Sequence, residues 1–153
     1  MIITKTNKDT YQIKLPDKII NIYNSREIQN ITKEIIKKIH KKYKLSGLTI
    51  IEIYQDINYG TILEIKNPQK YHYPTNEIEI KITIHTNTPI LYKIDYFNIT
   101  NKNKSKIYYY KNNFYLQLNN HINKKEYLKI LEKAEIVYED SYQIINNGLK
   151  IKL

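Results

Sequence analysis

Apolar residues recur along this chain with two different periods. The clearest strand pattern lies in the second half, where every second residue from 78 to 84 is isoleucine and the residues between are polar. Such alternation predicts a strand with one buried face. The clearest helical pattern follows Asn24, where apolar side chains recur every three or four residues: Ile28, Ile31, Ile35, Ile39 and Tyr43. That spacing predicts an amphipathic helix.

Two helix starts carry the same capping signal. Asn24 is followed three residues later by Glu27, and Asn123 by Glu126. A side-chain oxygen at the first of these positions accepts from a free N–H of the first turn, and the glutamate can return a bond. Both helices are therefore predicted to begin there, and Gly47 is predicted to end the first one.

Hairpins are predicted wherever two β-branched or aromatic runs flank a polar turn. The three predicted hairpins join 2–6 to 10–15, 48–57 to 61–66, and 106–111 to 114–118, the last around Asn112-Asn113. Asparagine and glycine suit these turns because they adopt positive φ angles more readily than other residues. Short strands are also predicted at 136–139, 142–145 and 149–153.

The segment after the isoleucine strand allows two interpretations. Thr88-Pro89 resembles a helix start with proline in the first turn, which favours a short helix over 89–98. Tyr92, Ile94 and Tyr96 also alternate, so a strand is the alternative.

Residues 67–76 contain two prolines and follow no period, so they are interpreted as a linker. The predicted class is α+β, with two small units of antiparallel sheet plus helix. The first unit, 1–66, would be β-β-α-β-β, and the second, 77–153, would be β-α-β-β-α-β-β.

Composition changes how the net charge of +10 is interpreted. The chain has 31 Ile, 24 Lys, 18 Asn and 16 Tyr but one Arg, the bias that an AT-rich genome imposes on any protein. Arginine supplies the two-pronged donor that reads phosphates and guanine edges, and only Arg26 is present. The charge therefore does not by itself indicate a nucleic-acid partner. The absence of cysteine excludes disulfides and thiolate chemistry.

Candidate catalytic groups do not form a motif. The four histidines lack metal-ligand spacing, and no serine follows a nucleophile-elbow pattern. We therefore predict no enzyme activity, no cofactor and no metal site. No apolar run is long enough to span a membrane, and the N-terminus lacks the apolar core of a signal peptide, so a cytoplasmic location without membrane partners is expected.

Two features are candidates for binding. One is the polar face of the first helix, with Lys33, Lys37, Lys41 and Lys44 at helical spacing. It is either a solvated face or a surface for nucleic acid. The other is the aromatic hairpin, where Tyr108, Tyr110 and Tyr115 are candidate anchors of a protein interface, since rigid aromatic residues often dominate such surfaces.

The order of elements resembles the MecA adaptor family. The opening Met1-x-Ile3-x-x-x-Asn7-x-x-Thr10 is similar to the first strands of that family, and Ser46-Gly47-Leu48 is similar to its junction after the first helix. In the second half the similar segments are Ile107–Leu116 and Leu128-x-x-Leu131-x-x-Ala134-Glu135. The resemblance covers nearly the whole chain in the order of its elements.

The resemblance implies a non-enzymatic adaptor. Its N-terminal unit would recognise a cargo protein, and its C-terminal unit would dock on a ClpC-type AAA+ unfoldase and promote regulated proteolysis. The aromatic hairpin and the helix after it would then face the unfoldase, and the first helix would face cargo. The alternative is a nucleic-acid-binding protein that uses the lysine face and exposed tyrosines.

Overall fold

The computed structural model describes residues 1–68, 77–95, 105–119 and 121–152. These residues form ten strands and three helices. The strands are β1 (Ile2–Asn7), β2 (Thr10–Pro16), β3 (Gly47–Asp56), β4 (Gly60–Lys66), β5 (Ile78–His85), β6 (Leu91–Ile94), β7 (Ser105–Tyr110), β8 (Asn113–Leu118), β9 (Ala134–Val137) and β10 (Leu149–Ile151). The helices are α1 (Ser25–Tyr43), α2 (Lys124–Leu131) and α3 (Ser141–Asn147). The predicted α+β class is confirmed.

The chain divides into two compact units. Unit 1 contains Met1–Gln55 and Tyr59–Thr86, and unit 2 contains Asp56–Asn58 and Asn87–Leu153. Each unit has its own five-stranded sheet. The division differs from the predicted one because β5, which was expected to open the second unit, belongs to the sheet of unit 1.

The sheet of unit 1 has the order β1-β2-β4-β3-β5. β1 and β2 pair antiparallel, as do β2 and β4. β5 instead runs parallel to β3 over eight residue pairs, from Gly47↔Ile78 to Tyr54↔His85. The expectation of purely antiparallel sheets is therefore wrong for unit 1. Alternation along a strand predicts which face is buried but does not identify the neighbouring strand or its direction.

The core of unit 1 lies between α1 and one face of this sheet. Its buried residues come from α1, the loops beside it and β2, β3 and β4: Tyr11, Ile13, Leu15, Ile20, Ile28, Ile31, Ile35, Ile36, Ile39, Leu45, Ile51, Ile53, Leu63 and Ile65. Three isoleucines of β5 pack against this cluster: Ile78, Ile82 and Ile84. The apolar residues of α1 and of the strands thus form one layer, so the opposite side of α1 faces solvent.

The predicted asparagine caps are confirmed at both helix starts, but the Asn24 N–H, to which Glu27 was predicted to return a bond, donates to the Asn21 carbonyl instead. The Asn24 side-chain oxygen accepts from the Glu27 backbone N–H (3.2 Å), and the Asn123 side-chain oxygen accepts from the Glu126 N–H (2.9 Å). The predicted end of α1 is wrong. Lys44 adopts the left-handed conformation with φ 54°, and its N–H bonds to the His40 carbonyl, whereas Gly47 begins β3. The hairpin between β7 and β8 likewise turns at Lys111 and Asn112, both with positive φ, one residue earlier than predicted.

Unit 2 contains an antiparallel sheet with the order β10-β7-β8-β6-β9. The helix predicted over 89–98 is wrong where the structure describes it, because Leu91–Ile94 is the strand β6, and residues 96–98 lie outside the described ranges. β6 pairs with β8 on one side and β9 on the other. These two ladders outweigh the local helix start at Thr88-Pro89, which is an example of tertiary context overriding propensity.

The strand predicted at 142–145 is also wrong, since these residues lie in α3. Ile144 of α3 is buried in a cluster with Leu91, Tyr108 and Tyr115. On the opposite face of the sheet, the Tyr127 ring of α2 meets the Tyr92 ring edge-on at 5.9 Å, and their hydroxyl oxygens lie 3.1 Å apart. Both helices of unit 2 therefore cover its sheet, one on each face.

The start of the predicted linker is part of the core of unit 1. Asn67 is 3% exposed, and its backbone N–H donates to the Asp9 carbonyl. Its side-chain Nδ2 lies 2.8 Å from the Ser46 carbonyl, 3.0 Å from the Leu48 carbonyl and 2.9 Å from Thr49 Oγ1. This residue therefore ties the end of β4 to the start of β3. Residues 69–76 of the predicted linker lie outside the described ranges.

Candidate functional site

The candidate site is the solvent-facing side of α1. Because α1 buries its isoleucines every three or four residues, the positions between them are directed away from the sheet. Lys33, Lys37, Lys41 and Lys44 are all exposed. Successive positions of a helix are about 100° apart, which places Lys33, Lys37 and Lys41 within one stripe along the helix axis. Lys44 follows them as the left-handed C-cap of α1.

Arg26 belongs to the same stripe, although the sequence reasoning did not assign it a role. It lies seven residues before Lys33, which is close to two helical turns, and it is exposed. The same 3.6-residue period that identified the lysines would have found it. We call Arg26, Lys33, Lys37, Lys41 and Lys44 the basic stripe.

The basic stripe lacks acidic partners among the residues that the structure describes. The ion pair on α1 is Lys38–Glu34, at 2.6 Å, and it lies beside the stripe. The hydrogen bond from Lys38 lowers the pKa of the Glu34 carboxyl, so this acid is already engaged. None of the five stripe cations takes part in an ion pair with a described carboxylate. The stripe is therefore a row of cations without ion-pair partners among the described residues.

Axial distances along the stripe suit a polymer of regularly spaced anions. Lys33, Lys37 and Lys41 are each four residues apart, which corresponds to a rise of about 6 Å per step and about 12 Å in total. Lys41 also lies in the last turn of α1, where a cation is favoured by the partial negative charge of the helix end. The helix thus holds the charges in a fixed line rather than on a mobile loop.

A cation outside the basic stripe, Lys5, lies beside the C-terminal end of α1. The Tyr11 and Tyr43 rings are 4.7 Å apart, and Lys5 Nζ lies 5.7 Å from the Tyr11 centroid and 5.6 Å from the Tyr43 centroid. Burial is the main cause that raises the pKa of the Tyr11 hydroxyl, and the nearby Tyr43 hydroxyl is the second cause. Tyr11 therefore stays protonated at neutral pH. This pair of rings holds a lysine by cation–π attraction.

The three candidate tyrosines are placed differently from the lysines. Tyr108 is 6% exposed and Tyr115 is 8% exposed, and both belong to the cluster around Ile144. Tyr110 is half-buried and packs against the same cluster. Tyr108 and Tyr115 are therefore core residues, because α3, which replaces the strand predicted at 142–145, covers their face of the sheet. Of the three predicted anchors, Tyr110 is the one that is half-buried rather than buried.

Four titratable residues on β3, β4 and β5 form a structural network. Lys66 lies 2.7 Å from Glu52 and 3.0 Å from Glu64, and His85 lies 3.3 Å from Glu52. Burial lowers the pKa of Lys66, but hydrogen bonds and charge attraction from Glu52 and Glu64 outweigh it, so the net shift is upward. Opposite charges on neighbouring strands compensate one another here, which is how buried and half-buried ions are usually stabilised.

No described helix is long and apolar enough to cross a membrane. No protein-family model, curated protein or solved structure matches the chain. The resemblance to the MecA family therefore rests on the residues and the order of elements in this sequence.

Proposed function

We propose that this protein is a non-enzymatic binding protein that holds the phosphate backbone of a nucleic acid on the basic stripe of α1. The observation that carries the proposal is a row of exposed cations along α1 and its C-cap, without ion-pair partners among the described residues. Neutralising phosphates with such cations releases condensed counterions, which drives binding.

The composition of the stripe indicates what kind of recognition it would give. Lysine acts as a compact point charge, whereas arginine provides the planar donor that reads base edges. Four of the five stripe cations are lysines. Along B-DNA each strand presents one phosphate per about 3.4 Å of axis, so three lysines spanning about 12 Å meet several phosphates. Binding is therefore expected to depend on backbone charge and little on base sequence.

Reversing three stripe charges tests this proposal. The variant Lys33→Glu/Lys37→Glu/Lys41→Glu is expected to bind a fluorescent DNA 20-mer more than tenfold more weakly than wild type at low salt. Each lost phosphate contact also removes roughly one unit from the slope of log affinity against log salt, so the slope should shrink by roughly two to three units. Fluorescence anisotropy titrations at four salt concentrations measure both quantities.

A matched control separates the stripe from net charge. Lys125, Lys129 and Lys133 are also exposed and four residues apart, but lie in α2 and the turn after it. Reversing these three changes the net charge by the same amount and should leave most of the DNA affinity. Equal losses in the two triple variants would show that only overall charge matters. A wild-type chain that does not bind at low salt would reject the proposal.

A second candidate is the adaptor function that the MecA resemblance implies. The division into two compact units, each with its own sheet, supports it, because cargo recognition and unfoldase docking need separate surfaces. Of the aromatic residues assigned to docking, Tyr110 is the one that is only half-buried, whereas Tyr108 and Tyr115 are buried.

Co-elution with a ClpC-type unfoldase tests the adaptor proposal. In the presence of ATP and moderate salt, the chain should move to the size of a large assembly on a sizing column, and Tyr110→Ala should weaken that shift. Moderate salt screens non-specific attraction between this basic chain and acidic partners. A chain that elutes alone under these conditions would reject the unfoldase partnership without affecting the nucleic-acid proposal.

A further inference from the structure

The strand β5 forms one edge of the sheet of unit 1. One of its sides pairs with β3 without a break in register over eight residues. On its other side, no strand pairs with it among the residues that the structure describes. Glu79, Ile80 and Lys81 are exposed in the middle of this strand, and Ile80 is 39% exposed.

An edge of this kind is a template for pairing with another strand. Proteins usually protect sheet edges with proline, bulges, short strands or unbalanced charge. β5 has eight residues, contains no proline and keeps a regular register with β3. Its central charges, Glu79 and Lys81, are of opposite sign and two residues apart, so they do not repel an incoming strand of similar pattern.

We propose that β5 pairs antiparallel with β5 of a second copy of the chain, with Ile80 on the two-fold axis. In this register Glu79 faces the partner subunit's Lys81, and Lys81 faces the partner subunit's Glu79. Ile80 then lies against the partner subunit's Ile80, which covers the exposed apolar side chain. The unit 1 sheets of the two copies, with five strands each, then form one continuous sheet of ten strands.

Charge selects this register over its neighbours. Alternate residues of a strand direct their N–H and C=O groups toward the open edge, so two opposite residues must both direct these groups toward the partner strand or both away from it. The nearest alternative registers therefore have the two-fold axis at Glu79 or at Lys81 instead of at Ile80. An axis at Glu79 pairs Lys81 with Glu77 of the second copy but places Glu79 against the partner subunit's Glu79, so it has one like-charge contact that the axis at Ile80 avoids. An axis at Lys81 places two lysines opposite each other. Like charges directly opposite destabilise a strand pair, whereas opposite charges stabilise it.

Single and double charge reversals test both the dimer and its register. Sedimentation velocity of the wild-type chain across a concentration series is expected to show a monomer–dimer equilibrium. Glu79→Lys and Lys81→Glu should each weaken dimerisation by at least about tenfold, because each places like charges opposite one another twice. The double variant Glu79→Lys/Lys81→Glu should restore it, since the charges are exchanged but remain complementary.

Mixing the two single variants gives a sharper result. Glu79→Lys has lysine at both positions, and Lys81→Glu has glutamate at both, so the mixture should form heterodimers although neither variant forms homodimers. Glu79 and Lys81 take part in no ion pair with a described residue, so neither single variant should change the stability of the monomer. Urea unfolding of the single variants at a concentration too low for dimers checks this, because their midpoints should equal that of the wild-type chain.

Two outcomes would overturn the β5 pairing. One is a wild-type chain that stays monomeric at millimolar concentration. The other is a dimer whose dissociation constant does not respond to either single reversal, which would place its interface elsewhere. DNA binding by the basic stripe is measured on other residues, so the two proposals succeed or fail separately.

Discussion

Replacing Tyr108 with alanine is expected to lower the free energy of unfolding by about 3 kcal/mol, in the range typical of truncating a large buried aromatic residue. Tyr108 is 6% exposed and contacts the cluster of Leu91, Tyr115 and Ile144. Removing its ring opens a cavity between β7 and α3, because the surrounding side chains relax only partly into the space. Urea unfolding monitored by circular dichroism measures the loss.

Two further variants separate packing from other effects. Tyr108→Phe keeps the ring but loses the hydroxyl that donates to Gln117 Oε1 at 3.1 Å, so it should cost only about 1 kcal/mol. Tyr109→Ala changes the neighbouring residue, whose half-buried ring faces the other side of the sheet, and should cost less than Tyr108→Ala. A Tyr108→Ala variant as stable as wild type would contradict the core assignment and return Tyr108 to the candidate interface.

Sequence patterns correctly predicted the elements that are stabilised by contacts between residues close together in the chain. The side chains of Asn24 and Asn123 bond to backbone N–H groups three residues away, so the signal and the structure lie within one turn. The helical period of α1 also predicted which lysines are exposed, because the positions opposite the buried isoleucines must face solvent. For this reason the basic stripe could be found from sequence, including Arg26.

Predictions that depended on distant partners were wrong. Thr88-Pro89 favoured a helix, but Leu91–Ile94 gains two strand neighbours, β8 and β9, which no nearby residue indicates. The segment 142–145 is rich in aromatic and β-branched residues, yet it lies in α3, where Ile144 packs against Tyr108 and Tyr115. That packing also determines which tyrosines are buried. The aromatic candidates could not be sorted into core and surface until the position of α3 was established.

The division into units shows the same limit. Residues 67–76 have the composition of a linker, and a boundary there would separate β5 from β3. The structure pairs these strands in parallel, which joins residues about thirty positions apart. Proline content predicts a break in regular structure but not a break between domains. Asn67 demonstrates the difference, because it follows β4 directly and is among the most buried polar residues of unit 1.

Replacing Asn67 with aspartate is expected to destabilise the fold by several kcal/mol at neutral pH. The Asn67 Nδ2 group faces three oxygen acceptors, those of Ser46, Leu48 and Thr49, at 2.8–3.0 Å. A carboxylate at this position offers no proton to them and adds a buried negative charge, which is costly without a partner. Asn67→Ala is the matched control, since it leaves the acceptors unsatisfied without adding charge and should cost about 2 kcal/mol.

The pH dependence of Asn67→Asp distinguishes lost hydrogen bonds from buried charge. Burial and the surrounding oxygens disfavour the ionised form, so the pKa of the introduced carboxyl should lie above its value in the unfolded chain. Stability then decreases as pH rises between these two values, because the folded state holds the proton more tightly. Urea unfolding at pH 5 and pH 7.5 should therefore show a smaller penalty at pH 5 for Asn67→Asp and an unchanged penalty for Asn67→Ala. Equal penalties for Asn67→Asp at both pH values would contradict the buried-charge explanation, because they would show that the introduced carboxyl group reaches solvent.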